Sequence, residues 1–269
     1  MGDTLTRAEA PPEFASVFDR WGPLLSAAGV LALWELLSRA GLISPLFFPP
    51  PSAIGVQLVS MLREGSLMVD TGITVARVSV GFFLGAGAGM LIGLAMGVSP
   101  RIGAQLDPWV AALHPTPKIA VLPLILVIFG IGEASKVSLA ALGAFFPMLI
   151  NTVAGVRQIS PIYFEVARSY GAGTWQLFTR VVLPGSLPLI MAGARISINV
   201  ALMLTIAAEL VAAQRGLGQV IWFAWQTLRI EQVYAGLFVT ALLGILLSYF
   251  LERFSRWVMP WRSAPRPAR

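Results

Sequence analysis

The residues that could do chemistry are few, and they form no catalytic set. The chain has one histidine, His114, and no cysteine, so a thiol nucleophile is excluded and a metal site lacks its usual ligands. Its two lysines, Lys118 and Lys136, follow Pro117 and Ser135, whereas a phosphate-binding P-loop needs glycine before its lysine. We therefore expect no catalytic residue, no metal site and no cofactor on this chain.

Polar and ionisable side chains within apolar stretches are the remaining candidates, because a charge at the centre of a span costs about 3 kcal/mol. Arg195 and Asn199 lie one turn apart on one helix face. This stripe predicts either a solute path that favours anions or an arginine that snorkels or pairs within the fold. We expect Glu209 to pair with Arg215 or line an outer gate, and His114 to be an interfacial polar residue or to touch solute.

Membrane-spanning helices must position these residues. Of 269 residues, 57% are hydrophobic and only 12% are charged, about half the charged fraction of a soluble domain. Disorder, a coiled coil and an ordinary soluble enzyme are thereby excluded. The net charge of +6 is dispersed without a basic stripe of interleaved aromatics, so we expect membrane lipid and no nucleic acid around the chain.

Six apolar stretches are long enough to cross a bilayer, which takes about 20 helical residues. They cover residues 23–40, 74–98, 117–131, 136–156, 188–212 and 234–258. Prolines interrupt the start of the third stretch, which could instead begin as a kinked helix near Asp107. The sequence therefore predicts an all-α integral membrane protein with six transmembrane helices.

Lysine and arginine are concentrated in the segments that face the cytoplasm if the N-terminus lies inside. We therefore predict a cytoplasmic N-terminal segment over residues 1–20, a transmembrane domain over 21–258 and a cytoplasmic tail over 259–269. The polar loop 157–184 also faces the cytoplasm, and both termini lie there.

Five glycines in the second stretch recur every fourth residue, which places them on nearly one helix face: Gly81, Gly85, Gly89, Gly93 and Gly97. This stripe predicts close packing against another helix of the same chain, with a contact between two copies as the alternative.

The loop 157–184 predicts two short helices. Ser160-Pro161 is typical of a helix start, Gly171-Ala172-Gly173 allows the chain to reverse, and Thr174 is suited to cap a second helix. Aromatic and aliphatic side chains exposed in such a loop favour docking into the groove of a partner protein.

This loop resembles the cytoplasmic "EAA" loop in permease subunits of binding-protein-dependent ABC importers. The family pattern is Glu-Ala-Ala, three residues, Gly, nine residues, Ile, one residue and Leu-Pro. Here it is Glu165-Val166-Ala167, then Gly171, Val181, Leu183 and Pro184, with the spacing kept and two mild departures, Val166 for Ala and Val181 for Ile. Other segments are similar to the sulfonate, taurine and nitrate branch of that family, namely 48–52, 114–118, 122–124, 129–133, 208–210 and 216–218.

The resemblance implies a type I ABC importer permease in a bacterial inner membrane. It implies that Glu165, Ala167, Gly171, Leu183 and Pro184 couple the chain to cytoplasmic ABC ATPase subunits, which bind ATP and Mg²⁺. It further implies a periplasmic or lipoprotein solute-binding protein and a second permease copy.

The same resemblance implies a small anion as solute, such as a sulfonate, taurine, nitrate or an aromatic carboxylate, with a neutral pyrimidine-type vitamin precursor as the alternative. A stand-alone channel or secondary transporter would carry paired intramembrane charges or inverted repeats, and neither is visible in the sequence.

Overall fold

The computed structural model describes residues 12–261, and the side chains of residues 21–261. The predicted segments 1–20 and 259–269 thus lie mainly outside the described side chains. Within the described range the chain forms helices and no strand. The α-helices are α1 (Pro12–Arg39), α2 (Pro51–Arg63), α3 (Ser66–Val98), α4 (Pro100–Leu113), α5 (Leu122–Phe129), α6 (Glu133–Arg157), α7 (Pro161–Ser169), α8 (Thr174–Leu177), α9 (Leu183–Ala212), α10 (Leu217–Gln226) and α11 (Ile230–Val258).

Five of the described helical segments are long and apolar enough to cross a membrane. They are Trp21–Arg39, Ser66–Val98, Glu133–Arg157, Thr174–Ala212 and Ile230–Val258. They coincide with five of the six predicted spans and confirm the all-helical membrane fold. A sixth crossing requires α4 to be taken together with Lys118–Phe129, and these two pieces are bent by 87°.

The prediction of one continuous third span over 117–131 is therefore wrong. The helix that follows the bend runs only from Lys118 to Phe129, beginning as a 3₁₀ turn over Lys118–Val121. Pro115 and Pro117 lack backbone N–H groups and disfavour helical angles in the residues before them. The alternative of an earlier, kinked helix from Asp107 describes the chain better, although the first piece, α4, begins at Pro100.

The core of the bundle is α3 packed on α6, with α9 in contact with both. All five glycines of the stripe face α6, and a Cβ built on Gly85 would overlap the backbone carbonyl of Ala141. A Cβ on Gly93 would lie 2.8 Å from the carbonyl oxygen of Leu149. Packing within one chain is thus confirmed as the role of the stripe, since the missing side chains let the two backbones approach.

The first helix is peripheral. Only 6% of the residues in its most apolar 18-residue stretch are buried, against 61% in the corresponding stretch of α6. Near its C-terminal end Glu35 contacts Arg39 and accepts hydrogen bonds from the backbone N–H and the hydroxyl of Ser52, at 3.0 and 2.7 Å. These contacts fasten α1 to the first turn of α2.

Candidate coupling loop and solute path

The first helix of the loop ends in a turn that requires glycine. The amide of Gly171 donates to the carbonyl of Arg168 at 2.8 Å, and the amide of Ala172 donates to the carbonyl of Ala167 at 3.0 Å. This pair of bonds is the Schellman motif, in which the residue after the C-cap is left-handed. Gly171 has φ +77°, with no atom within 4 Å of a Cβ built there. Gly171 is therefore needed for its backbone angle rather than for space.

Helix α7 exposes apolar side chains together with one acid. Ser160 precedes it in an extended conformation and Pro161 begins it, although the Ser160 side chain makes no capping bond. Tyr163 and Tyr170 are exposed, the latter to 89%. Glu165 is exposed too and forms no ion pair with the side chains of residues 21–261. One surface of the loop is thus open to a partner.

The second helix of the loop runs into α9 without a break. Gly173, not Thr174, is the N-cap of α8, and its amide donates to Oε1 of Gln176 at 2.9 Å. The expectation for Thr174 is wrong because that residue is already the first helical one. Residues Phe178–Val182 form a π-helical turn, in which the amide of Leu183 donates to the carbonyl of Phe178. Pro184 has no backbone N–H to donate to a helical carbonyl, and the wider π-helical turn before it accommodates this missing hydrogen bond.

The motif residues Leu183 and Pro184 are half-buried at the first turn of α9. A groove beside them is lined by Gln158, Tyr163, Arg180 and Trp261. Trp261 follows α11, so the end of α11 and the loop lie at the same end of the bundle.

Arg195 and Asn199 share one face of α9, as predicted from their spacing, and this face contacts α11. Arg195 Nη2 lies 3.3 Å from Glu252 Oε2, and Asn199 Oδ1 accepts a hydrogen bond from Ser248 at 3.0 Å. Both charged side chains are nearly half exposed. The stripe thus lines an open groove between α9 and α11 that has both polar and apolar walls, and its arginine has an acid within reach.

Glu209 does not reach an open surface in this structure. It is 0% exposed and pairs with Arg77 Nη1 at 2.7 Å, while Arg215 pairs with Asp70 at 2.8 Å. Pairing of Glu209 with Arg215 is therefore a wrong prediction. Glu209 also accepts bonds from the Thr74 hydroxyl and the Gly218 amide.

Arg77 is the important residue that the sequence did not reveal. Its Nε and Nη2 atoms each lie 2.6 Å from a Glu133 oxygen, and Nη1 contacts Glu209 and, at 2.7 Å, the carbonyl of Arg215. It joins α3, α6 and α9, yet its partners are 56 and 132 residues away. Paired charges, which were not visible in the sequence, are thus present within the spans, and pairing cannot separate a channel from an importer subunit here.

His114 is the C-cap of α4 and stands at the bend before Lys118. Its ring lies 5.9 Å from that of Phe146 on α6, and residues 114–117 are exposed. Among residues 21–261, no three His, Asp or Glu side chains are grouped to hold a metal ion.

Comparison with known proteins identifies the class. The chain matches the family of binding-protein-dependent transport system inner membrane components over residues 85–263. It is 36% identical over 241 residues to a Bacillus subtilis permease protein named for aliphatic sulfonates transport, covering 90% of this chain and 87% of that protein. It is 36% identical over 239 residues to the taurine transport system permease of Escherichia coli, covering 87% of each chain. To the bicarbonate transport system permease of Synechococcus elongatus it is 32% identical over 248 residues, covering 88% of each.

The chain therefore belongs to this family of ABC importer permeases, a multi-pass membrane component and not an enzyme. Its fold matches an inward-facing structure of the MetNI methionine ABC transporter with a TM-score of 0.63 and 22% identity, over 73% of this chain and 97% of that chain. The architecture is that of a type I importer permease. Such permeases work with a separate ATPase and a solute-binding protein.

Proposed function

We propose that this permease carries a small anion, such as an organic sulfonate, taurine, nitrate, bicarbonate or an aromatic carboxylate. The observation that carries the proposal is the shared chemistry of its relatives' named solutes. Aliphatic sulfonates, taurine and bicarbonate each bear an oxyanion group. No comparable observation favours a neutral pyrimidine.

The loop 157–184 is the contact with the ATPase in this proposal. Tyr163 and Tyr170 supply apolar surface, Glu165 supplies an uncommitted charge, and Gly171 fixes the angle between the two short helices. The half-buried Ala167 lies on the inner side of α7, and its carbonyl closes the Schellman turn. Such exposed apolar groups beside a charge suit a protein groove.

Leu183 and Pro184 connect this contact to the transmembrane bundle. They stand where the π-helical turn ends and α9 begins, and helical segments continue from Thr174 to Ala212. A displacement of the loop is therefore passed directly to the helix that carries Arg195 and Asn199.

Two copies of the chain would form the path. Arg195, Asn199, Ser248 and Glu252 line a groove that is open at the side of a single chain. Polar groups at membrane depth normally face a bundle interior or water rather than lipid. A second copy laid over this groove would enclose it, with Arg195 as a cation for the solute.

Both termini and the loop would face the cytoplasm. Residues 1–20 would then form a cytoplasmic segment, residues 21–258 the transmembrane domain and residues 259–269 a cytoplasmic tail.

The test uses the whole transporter, reconstituted in vesicles with its ATPase and solute-binding protein. We expect ATP-dependent uptake of an oxyanion solute and none of a neutral pyrimidine. We also expect Glu165→Lys to abolish solute-stimulated ATP hydrolysis, since it reverses the charge offered to the ATPase. The control is Glu64→Lys, an exposed acid after α2 that bonds only Ser60 locally. Stimulation that survives Glu165→Lys would count against the role of the loop, and uptake of only neutral solutes would refute the anion.

A further inference from the structure

The break in the third span lies beside the middle of α6, a helix long enough to cross the membrane. Phe146, which contacts both His114 and Lys118, stands about 20 Å from the outer end of α6 and about 17 Å from its inner end, at about 1.5 Å per residue. The ion pair of Asp107 with Arg157, at 2.8 Å, holds the middle of α4 at the inner end of α6. Helix α4 therefore rises from the inner side and stops about halfway across.

Backbone carbonyls are left without helical partners at this depth. Four residues, 114–117, separate the two helical pieces, and all four are exposed. The ammonium group of Lys118 donates hydrogen bonds to three of these carbonyls, those of Leu113 at 3.1 Å, Thr116 at 2.8 Å and His114. Irregular backbone is tolerated within a bilayer only where it is buried in protein or lines water. Residues 114–117 are exposed on this chain, so water or another polar surface must contact their backbone.

Lys118 also carries a charge that no acid of the described residues balances. Among residues 21–261 no carboxylate lies within ion-pair distance of its ammonium group, which sits 4.5 Å from the centre of the Phe146 ring. The other lysine, Lys136, lies 3.7 Å from Glu133. Arg77 and Arg195 likewise have acids in contact. Lys118 is thus a cation at mid-membrane whose partners on this chain are dipoles and an aromatic face.

We propose that Lys118 is an anion-binding residue of the translocation path, placed there by the broken third span. This inference rests on the proposed function and adds to Arg195 a second group that recognises the oxyanion. An unpaired cation beside exposed carbonyls is stable in a water-filled path and costly against lipid. Arg195, by comparison, is already held by Glu252.

The chemistry of binding is an exchange of hydrogen bonds. A lysine ammonium has three donors, and the three carbonyls occupy them. An arriving sulfonate or carboxylate oxygen takes one donor, and water satisfies the released carbonyl. The positive charge attracts an anion and repels a cation of the same size, so the site selects by charge and no covalent step is involved.

The absence of cysteine makes a labelling test free of background. Thr116→Cys puts one thiol at the break, and its reaction is timed with an anionic and a cationic methanethiosulfonate of similar size. We expect both reagents to react, with the anionic one favoured about tenfold or more relative to free thiol, as expected for a unit charge within several ångströms. Adding Lys118→Gln should remove that preference, and adding Lys118→Arg should keep it.

Two reference sites make the labelling test decisive. Leu31→Cys, in the apolar middle of α1, should react with neither reagent, and Tyr170→Cys, in the exposed loop, should react with both and show no effect of Lys118→Gln. A purely structural role of Lys118 would leave the charge preference unchanged in Lys118→Gln. No reaction at Thr116→Cys, or a preference that survives Lys118→Gln, would overturn the proposal.

Uptake by the reconstituted transporter separates this inference from the proposed function. Lys118→Gln should raise the KM for an oxyanion about tenfold or more, with Lys118→Arg close to the unaltered chain. If the unaltered transporter moves no anion, the proposed function is wrong. If it moves anions and Lys118→Gln moves them equally well, Lys118 is not the anion-binding residue.

Discussion

The buried ion pair of Arg77 and Glu209 should be the most sensitive point of the fold. The two side chains are 4% and 0% exposed and lie 2.7 Å apart. Arg77→Met keeps a chain of similar length and removes the charge, so Glu209 is left buried without its cation. Removing one partner of a buried pair costs about 3–5 kcal/mol. For a chain of this size, at about 2–4 °C per kcal/mol, we expect the Tm to fall by roughly 10 °C.

The assay is thermal unfolding of the purified permease in detergent, followed by the loss of helical circular dichroism. The double variant Arg77→Met with Glu209→Gln removes both charges and should recover much of the loss, since the amide oxygen that replaces the Glu209 carboxylate can still accept bonds from Thr74 and the Gly218 amide. Arg39→Met is the control, because Arg39 is 64% exposed in its pair with Glu35 and exposed pairs contribute at most about 1 kcal/mol. A Tm of Arg77→Met equal to that of the control, or a double variant no more stable than the single one, would refute this reasoning.

Three further predictions follow from local geometry. Gly171→Val should reduce solute-stimulated ATP hydrolysis several-fold, because a left-handed backbone angle costs about 1–2 kcal/mol for a residue with a side chain. Gly171→Asn should retain the stimulation, and equal activities of the two variants would contradict the need for a left-handed residue at this turn. Gly85→Val should prevent recovery of monodisperse protein because its Cβ meets the Ala141 backbone, whereas Gly87→Val, with nothing within 4 Å, should purify normally. Arg195→Ala should lower uptake of an anionic solute and Arg195→Lys should retain it; unchanged uptake in both variants removes Arg195 from the path.

Patterns of local spacing were enough to predict much of the fold. The glycine stripe indicated close helix packing because glycines at every fourth residue lie on one face of a single helix. In the structure Gly85 on that face lies against Ala141. The loop was predictable for the same reason, since its helix start at Pro161 and its turn at Gly171 depend on neighbouring residues.

The remaining features depend on contacts that no local pattern contains. Arg77 lies among apolar residues, and its partners Glu133 and Glu209 belong to other helices. The four-residue offset of Arg195 and Asn199 indicated their common face but not the α11 residues that meet them. The π-helical turn before Leu183 likewise became visible only with the hydrogen-bond pattern of the folded chain.

Lys118 shows how a break in a helix and a binding group can be one feature. Pro115 and Pro117 end α4 halfway across the membrane, and the last carbonyls of any helix lack donors from their own helix. The lysine that follows supplies those donors, and its aliphatic stem is too short to carry the charge to either membrane surface from that depth. The same ammonium group therefore completes the local fold and leaves a positive charge at the break. Glutamine keeps two amide donors and removes the charge, whereas arginine keeps both the charge and the donors, so the comparison of these two replacements isolates the contribution of the charge.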